Sequence, residues 1–125
     1  MADLRVGVSG HIHARASGKA LLAFGPEAQL ERVRPINGQL ARRTEHTITS
    51  LPYLLADLEL IRSRGHALDH QEYVLDVCAI AVPIFEGSPR PRTALSITVP
   101  VHRFTNPEHF QRCLDALVEA RGRGE

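Results

Sequence analysis

Aromatic residues are scarce in this chain: it has no tryptophan, two tyrosines and four phenylalanines. That disfavours a platform on which successive bases stack, and with it single-stranded nucleic-acid binding. An excess of one charge is also lacking. Fifteen Lys and Arg against fourteen Asp and Glu leave a formal net charge of +1 over 125 residues, which argues against a surface built to grip phosphates. No segment gathers Arg, Lys, Asn and Gln as a recognition helix does. No apolar run reaches the roughly 18 residues of a membrane span, and no stretch has the layout of a secretory signal peptide. The only cysteines, Cys78 and Cys113, form no C-x-x-C pair. Both read as free thiols acting as small hydrophobes, in keeping with a reducing, cytoplasmic setting.

What is present is ordinary globular material, 43% hydrophobic and 23% charged, enough for one domain with a modest core over residues 1–125. The most informative stretch runs from Gly65 to Thr105. From Val77 to Phe85 nearly every residue is apolar, so a strand covered on both faces is expected. Glu86 to Arg92 contains Gly, Ser and two Pro, the composition of a turn. Thr93 to Val101 is again β-branched and aliphatic, completing a hairpin of two long buried strands. Alternation puts Leu95, Ile97 and Val99 on one side and Ala94, Ser96 and Thr98 on the other. Two hydroxyls on one face of a strand expected to be buried need partners, because an unpaired buried hydroxyl costs roughly 1–3 kcal/mol. A small polar ligand is one candidate.

Earlier in the chain, Leu4 to Val8 alternates as a short strand entering a Ser9-Gly10 turn. Arg15 to Phe24 has helix-forming composition and stops at Gly25-Pro26. Pro26 opens a second short helix with Leu30 and Val33 as its apolar side. Arg34 to Thr49 lacks a clear period and reads as a surface connection. Thr49 or Ser50 then caps a helix whose Leu51, Leu54, Leu55, Leu58 and Ile61 form an amphipathic stripe, ended by Gly65. Asn106-Pro107-Glu108 starts a closing helix that carries Phe110, Cys113, Leu114, Leu117 and Val118 to about Arg121. The order predicts an α+β arrangement with an antiparallel sheet and helices packed on it.

Several groups invite chemistry. His11-Ile12-His13 offers two imidazoles to a metal, but no further ligands are identifiable, and a histidine fixing a loop serves equally. His66, Asp69 and His70 could be acid–base groups or metal ligands, or simply the charged end of the hairpin. No nucleophile–base motif or paired-carboxylate spacing supports turnover, so neither a catalytic residue nor a cofactor is expected. Ser17-Gly18-Lys19 at a helix start lets a backbone or ligand come close, and the first N–H groups attract anions. The spacing of a Walker loop is missing.

His13-Ala14-Arg15-Ala16-Ser17-Gly18-Lys19-Ala20-Leu21-Leu22-Ala23 resembles the H-x-x-A-x-G-K-A-x-L-A segment in the effector-binding domain of IclR-type transcriptional regulators. Four further blocks follow in the family's order and spacing. Arg43-Thr44-Glu45-His46-Thr47-Ile48-Thr49 is similar to R-T-x-x-T-I-T, and Ile61-Arg62-Ser63-Arg64-Gly65-His66-Ala67-Leu68-Asp69 to I-R-x-R-G-Y-A-x-D. Cys78-Ala79-Ile80-Ala81-Val82-Pro83-Ile84 resembles R-C-I-A-A-P-V. Ala94-Leu95-Ser96-Ile97-Thr98-Val99-Pro100 with Arg103-Phe104-Thr105 resembles A-I-S-I-S-G-P-x-x-R-x-T. The resemblance implies a GAF-like fold that binds a small effector and controls a winged helix-turn-helix domain. Carried over by position, it implies a ligand site at Ala16, Ser17, Asp69, Ala79, Ser96 and Thr98, with Val77 as an apolar wall.

Departures from the pattern matter. The family cysteine is Ala79 here, Cys78 replaces the usual arginine, and Asp76 stands where the family has glycine. The winged helix-turn-helix and roughly the first third of the effector domain have no counterpart among these residues, so the GAF-like domain is expected in incomplete form. A sheet short of strands presents an edge, and self-association through it is expected. The first functional reading is therefore a module that binds a small organic acid, self-associates, and touches DNA only through another domain. A ligand-free association module is the second, and a small enzyme the third.

Overall fold

The computed structural model describes residues 11–33, 35 and 38–124; the expected strand at Leu4–Val8 lies outside them. A 3-10 turn (Ile12–Ala14) leads into helix α1 (Ala16–Phe24), and a second 3-10 turn (Glu27–Arg32) follows Pro26. After an irregular segment come α2 (Leu51–Arg64), β1 (Ala67–His70), β2 (Val77–Ile84), β3 (Thr93–Pro100), a one-turn α3 (Val101–Phe104) and α4 (Pro107–Gly124).

The strands form an antiparallel sheet in the order β1-β2-β3. The expected hairpin is present, but it has a third strand. Ala67–His70 is only four residues long and pairs with β2 through Ala67–Ala81 to His70–Cys78. Strand β2 is central and covered on both faces, which explains its nearly continuous apolar run. Ile80 and Val82 pack with Leu117 of α4, supported by Leu95, Ile97, Phe104, Phe110 and Leu114. Ala81 and the half-buried Ala79 face the opposite layer, where Ala16, Ala20, Leu54, Leu58 and Ile61 gather.

Helix α2 begins after Ser50, carries Pro52 in its first turn and stops at Gly65, whose φ of 91° is left-handed, a conformation glycine adopts at no steric cost. Leu54, Leu58 and Ile61 are fully buried, each contributing on the order of 1.5–3 kcal/mol, whereas Leu55 is 41% exposed. The expected stripe is thus wider than the face that is covered. Asn106 caps α4, its Oδ1 accepting from the His109 N–H at 3.1 Å. The helix runs three residues past the expected end, and Val118 stays exposed.

Two expectations need correction. The 34–49 stretch reads from sequence as a surface connection, yet Leu40, Thr44 and Thr47 are buried, and Arg43, Thr44 and Thr47 bond the loop between β1 and β2. Strand β3 is not buried on both faces. Ser96 and Thr98 are exposed, since β3 ends the described sheet and the start of α1 stands off from them across an open hollow.

Candidate functional site

The strand register aligns the candidates. Asp69 pairs with Ala79, and Ala79 with Thr98, a row across all three strands. Two positions along, Ala81 pairs with Ser96. Alternation turns these residues to one face, and the small side chains at positions 79 and 81 leave that face hollow. The start of α1 stands over the hollow. Arg15 is its cap residue in extended backbone, and the first intrahelical bond runs from the Lys19 N–H to the Arg15 carbonyl at 2.9 Å. The N–H groups of Ala16, Ser17 and Gly18 therefore have no partner within the helix.

Between these elements lies a cavity of about 350 Å³, lined by Arg15, Ala16, Ser17, Asp69, Tyr73, Val74, Val77, Ala79, Ser96 and Thr98. All seven residues singled out from the sequence border this one space. Arg15, Tyr73 and Val74 were missed. Tyr73 and Val74 sit in a loop without periodicity, and Arg15 read simply as the first residue of a helix. A broader depression beside Glu27, Leu30, Val33 and Leu51 is shallower and touches none of the candidates.

The loop at 71–76 is held from several directions. Thr44 Oγ1 donates to the Gln71 carbonyl and Thr47 Oγ1 to the Glu72 carbonyl, each at 2.6 Å. Arg43 Nε donates to the Tyr73 carbonyl at 3.4 Å. Lys19, 1% exposed, reaches Glu72 Oε1 and Asp57 Oδ2, both at 2.8 Å. Gln71 and Asp76 take positive φ, 63° and 69°. Asp is among the residues that enter this region, so Asp76 can stand where the family pattern has glycine. The Arg15 and Arg43 guanidinium carbons lie 4.2 and 4.4 Å from the Tyr73 ring centroid, and Arg15 Nη2 donates to the Tyr73 hydroxyl.

Asp69 is 6% exposed. Burial is the main cause that pushes its carboxyl from 3.8 up to about 6, against the opposing hydrogen bond from the Glu72 N–H; that N–H donates to Oδ1 at 2.7 Å. Burial also raises the Cys78 thiol and lowers His13 and His66. His13 Nε2 bonds the Ala41 carbonyl at 2.8 Å, the loop-fixing role. Among the described residues no group of three His, Cys, Asp or Glu could hold a metal ion. His70 instead stacks on Phe104, centroids 5.0 Å apart. Both cysteines are free thiols, and no described helix is long and apolar enough to cross a membrane.

A three-stranded antiparallel sheet between helical layers, with its cavity at the mouth of a short helix, is the α+β, GAF-like architecture of the C-terminal domains of transcriptional regulators. Residues 1–122 match the family described as "Bacterial transcriptional regulator IclR C-terminal". The chain belongs to the IclR family. It is 34% identical over 114 residues to the HTH-type transcriptional regulator BhcR of Paracoccus denitrificans, covering 91% of this chain and 40% of that protein. It is 35% identical over 95 residues to the transcriptional repressor IclR of Escherichia coli, covering 76% and 34%. The chain thus spans two fifths or less of these two relatives. The C-terminal domain of E. coli KdgR superposes with a TM-score of 0.79 at 31% identity, over 90% of this chain and 68% of that one. The inducer-binding domain of a PobR double mutant from Acinetobacter, in complex with 3-hydroxybenzoic acid, superposes with a TM-score of 0.76 at 28% identity, covering 90% and 63%.

Proposed function

We propose that this domain binds a small organic acid in the cavity bordered by Ala16, Ser17, Asp69, Val77, Ala79, Ser96 and Thr98, and that binding controls the hold of a separate winged helix-turn-helix domain on DNA. The observation that carries this reading is the convergence of those seven residues on a space of about 350 Å³, within the range of small-molecule sites. The N–H groups at the start of α1, which have no partner within the helix, receive the acid's charge. Ser96 and Thr98 donate hydrogen bonds from the opposite wall, and Val77 and Val74 supply apolar contact. With alanine at position 79, the wall has one polar contact fewer than the family pattern. The bound complex of PobR with 3-hydroxybenzoic acid supports the choice of ligand class. To act as a signal, the acid must bind one arrangement of subunits better than the other.

Thermal unfolding against acetate, pyruvate, benzoate and 3-hydroxybenzoate tests the reading on wild type and Ser96→Ala. A ligand at about 100 times its dissociation constant stabilises by roughly 2.7 kcal/mol, a shift of several degrees for this size. Ser96 is exposed, so its truncation leaves the fold intact. A shift lost in that variant supports the site. A flat panel on folded protein removes the reading in favour of a ligand-free association module.

Self-association belongs to the same proposal. Strand β3 ends the described sheet, and its outer edge, eight residues long, is where a second copy can add a strand. Sedimentation at tens of micromolar should give dimers or larger species. A single monomeric species would remove this part.

A further inference from the structure

Arg15 borders the cavity, is half-buried, and has no carboxylate partner among the described residues. Its guanidinium is held by the neutral hydroxyl and the ring of Tyr73. Its Nε is buried without a hydrogen-bond acceptor, an arrangement that costs an arginine both a bond and a counter-charge. Arg43 lies over the same ring, likewise without a carboxylate partner, so two positive charges share one neutral aromatic support. The nearby acids are otherwise engaged. Glu72 and Asp57 bind Lys19, and Asp69 accepts from the loop backbone.

We propose that Arg15 is the charge-selecting residue of this cavity, so that the ligand presents one carboxylate to its guanidinium and the corresponding neutral amide is rejected. The inference rests on the effector-binding reading above and adds to it a single side chain that decides ligand charge. An entering carboxylate supplies at once the acceptor that Nε lacks and the counter-charge that Arg15 and Arg43 lack. Arg15 reaches it by turning about its side-chain torsions, exchanging one bond to a neutral hydroxyl for an ion pair with a carboxylate, which its planar fork can hold through two parallel bonds. The apolar body of the ligand then lies toward Val74 and Val77.

Isothermal titration with two acid–amide pairs, benzoate with benzamide and pyruvate with pyruvamide, tests this on wild type, Arg15→Gln and Arg15→Lys. Wild type should bind at least one acid about tenfold or more tighter than its amide, the scale of one charge-assisted contact. Arg15→Gln should remove that preference by weakening the acid while leaving the amide unchanged. Arg15→Lys, which keeps the charge, should retain most of it. Wild type that binds an amide as tightly as its acid overturns the inference, as does Arg15→Gln that keeps the preference or Arg15→Lys that loses it entirely. If wild type binds none of the four probes, the effector-binding reading fails and this inference with it.

Discussion

Lys19 and Glu72 are 53 positions apart in the chain, yet the Lys19 ammonium meets the Glu72 carboxylate at 2.8 Å, with Asp57 also at 2.8 Å. One buried cation thereby ties α1 to α2 and to the loop that carries Tyr73 and Val74 into the cavity wall. Two carboxylates satisfy the ammonium, and Glu72 Oε2 accepts from the His70 N–H at 3.2 Å, so the group is well compensated despite its burial.

Lys19→Met should destabilise the domain by about 3–5 kcal/mol, because it leaves Asp57 and Glu72 facing each other without a counter-charge. Urea midpoints measure it. A change near zero would mean that the carboxylates relax into water and the tie is weak.

Gly18 separates two opposing effects. Alanine favours a helix over glycine by about 1 kcal/mol, but a Cβ at position 18 would lie 2.6 Å from Ile12 Cγ1 and 2.9 Å from the Ile12 carbonyl carbon. The backbone of the preceding turn cannot yield as a flexible side chain would. Gly18→Ala should therefore cost about 1–3 kcal/mol net, read from thermal melting. A gain in stability would show that α1 can move off the turn.

Asp69 gives the pH dependence. Its native pKa of about 6 lies above its ordinary 3.8, so between these values the native state holds more protons than the unfolded one. Its contribution to stability falls as pH rises through that window and is fully lost above it. At 1.36 kcal/mol per pH unit the loss is at most about 3 kcal/mol. Asp69→Asn keeps an acceptor for the Glu72 N–H without a charge. It should be more stable than wild type at pH 7.5 and close to it at pH 4. Equal melting differences at both pH values would count against the burial account.

The thiols should differ in reactivity. Cys78 is fully buried with its pKa raised by that burial, while Cys113 is half-buried. An aromatic disulfide reagent should label Cys113 in the native protein and Cys78 only on unfolding. Equal rates would mean that the sheet opens locally.

Helix α2 was legible because its signals are local, namely a proline in the first turn, a 3.6-residue period and a glycine stop, although the Ser50 side chain makes no cap hydrogen bond. The β2–β3 hairpin was legible for the same kind of reason, two apolar runs around a turn. Strand β1 was not. Four residues with a histidine and an aspartate carry little period-2 signal, and they become a strand only through pairing with β2. The one-turn α3 is equally short. Leu55 shows the limit of periodicity, which identifies the apolar stripe but not how much of it a neighbour covers.

The sequence by itself marked the long helices and the β2–β3 hairpin, because caps, periods and turns are local, sorted the residues of β3 into two faces, and carried the family pattern from which the seven candidate site residues were taken by position. Only the tertiary structure decided that Arg15, Tyr73 and Val74 join the cavity, that Arg43, Thr44 and Thr47 clamp the 71–76 loop, and that Lys19 is a buried tie. It also decided that Ser96 and Thr98 stay open to solvent. Burial, pairing and the partner of a charge are set by residues far apart in the chain, and no local pattern records them.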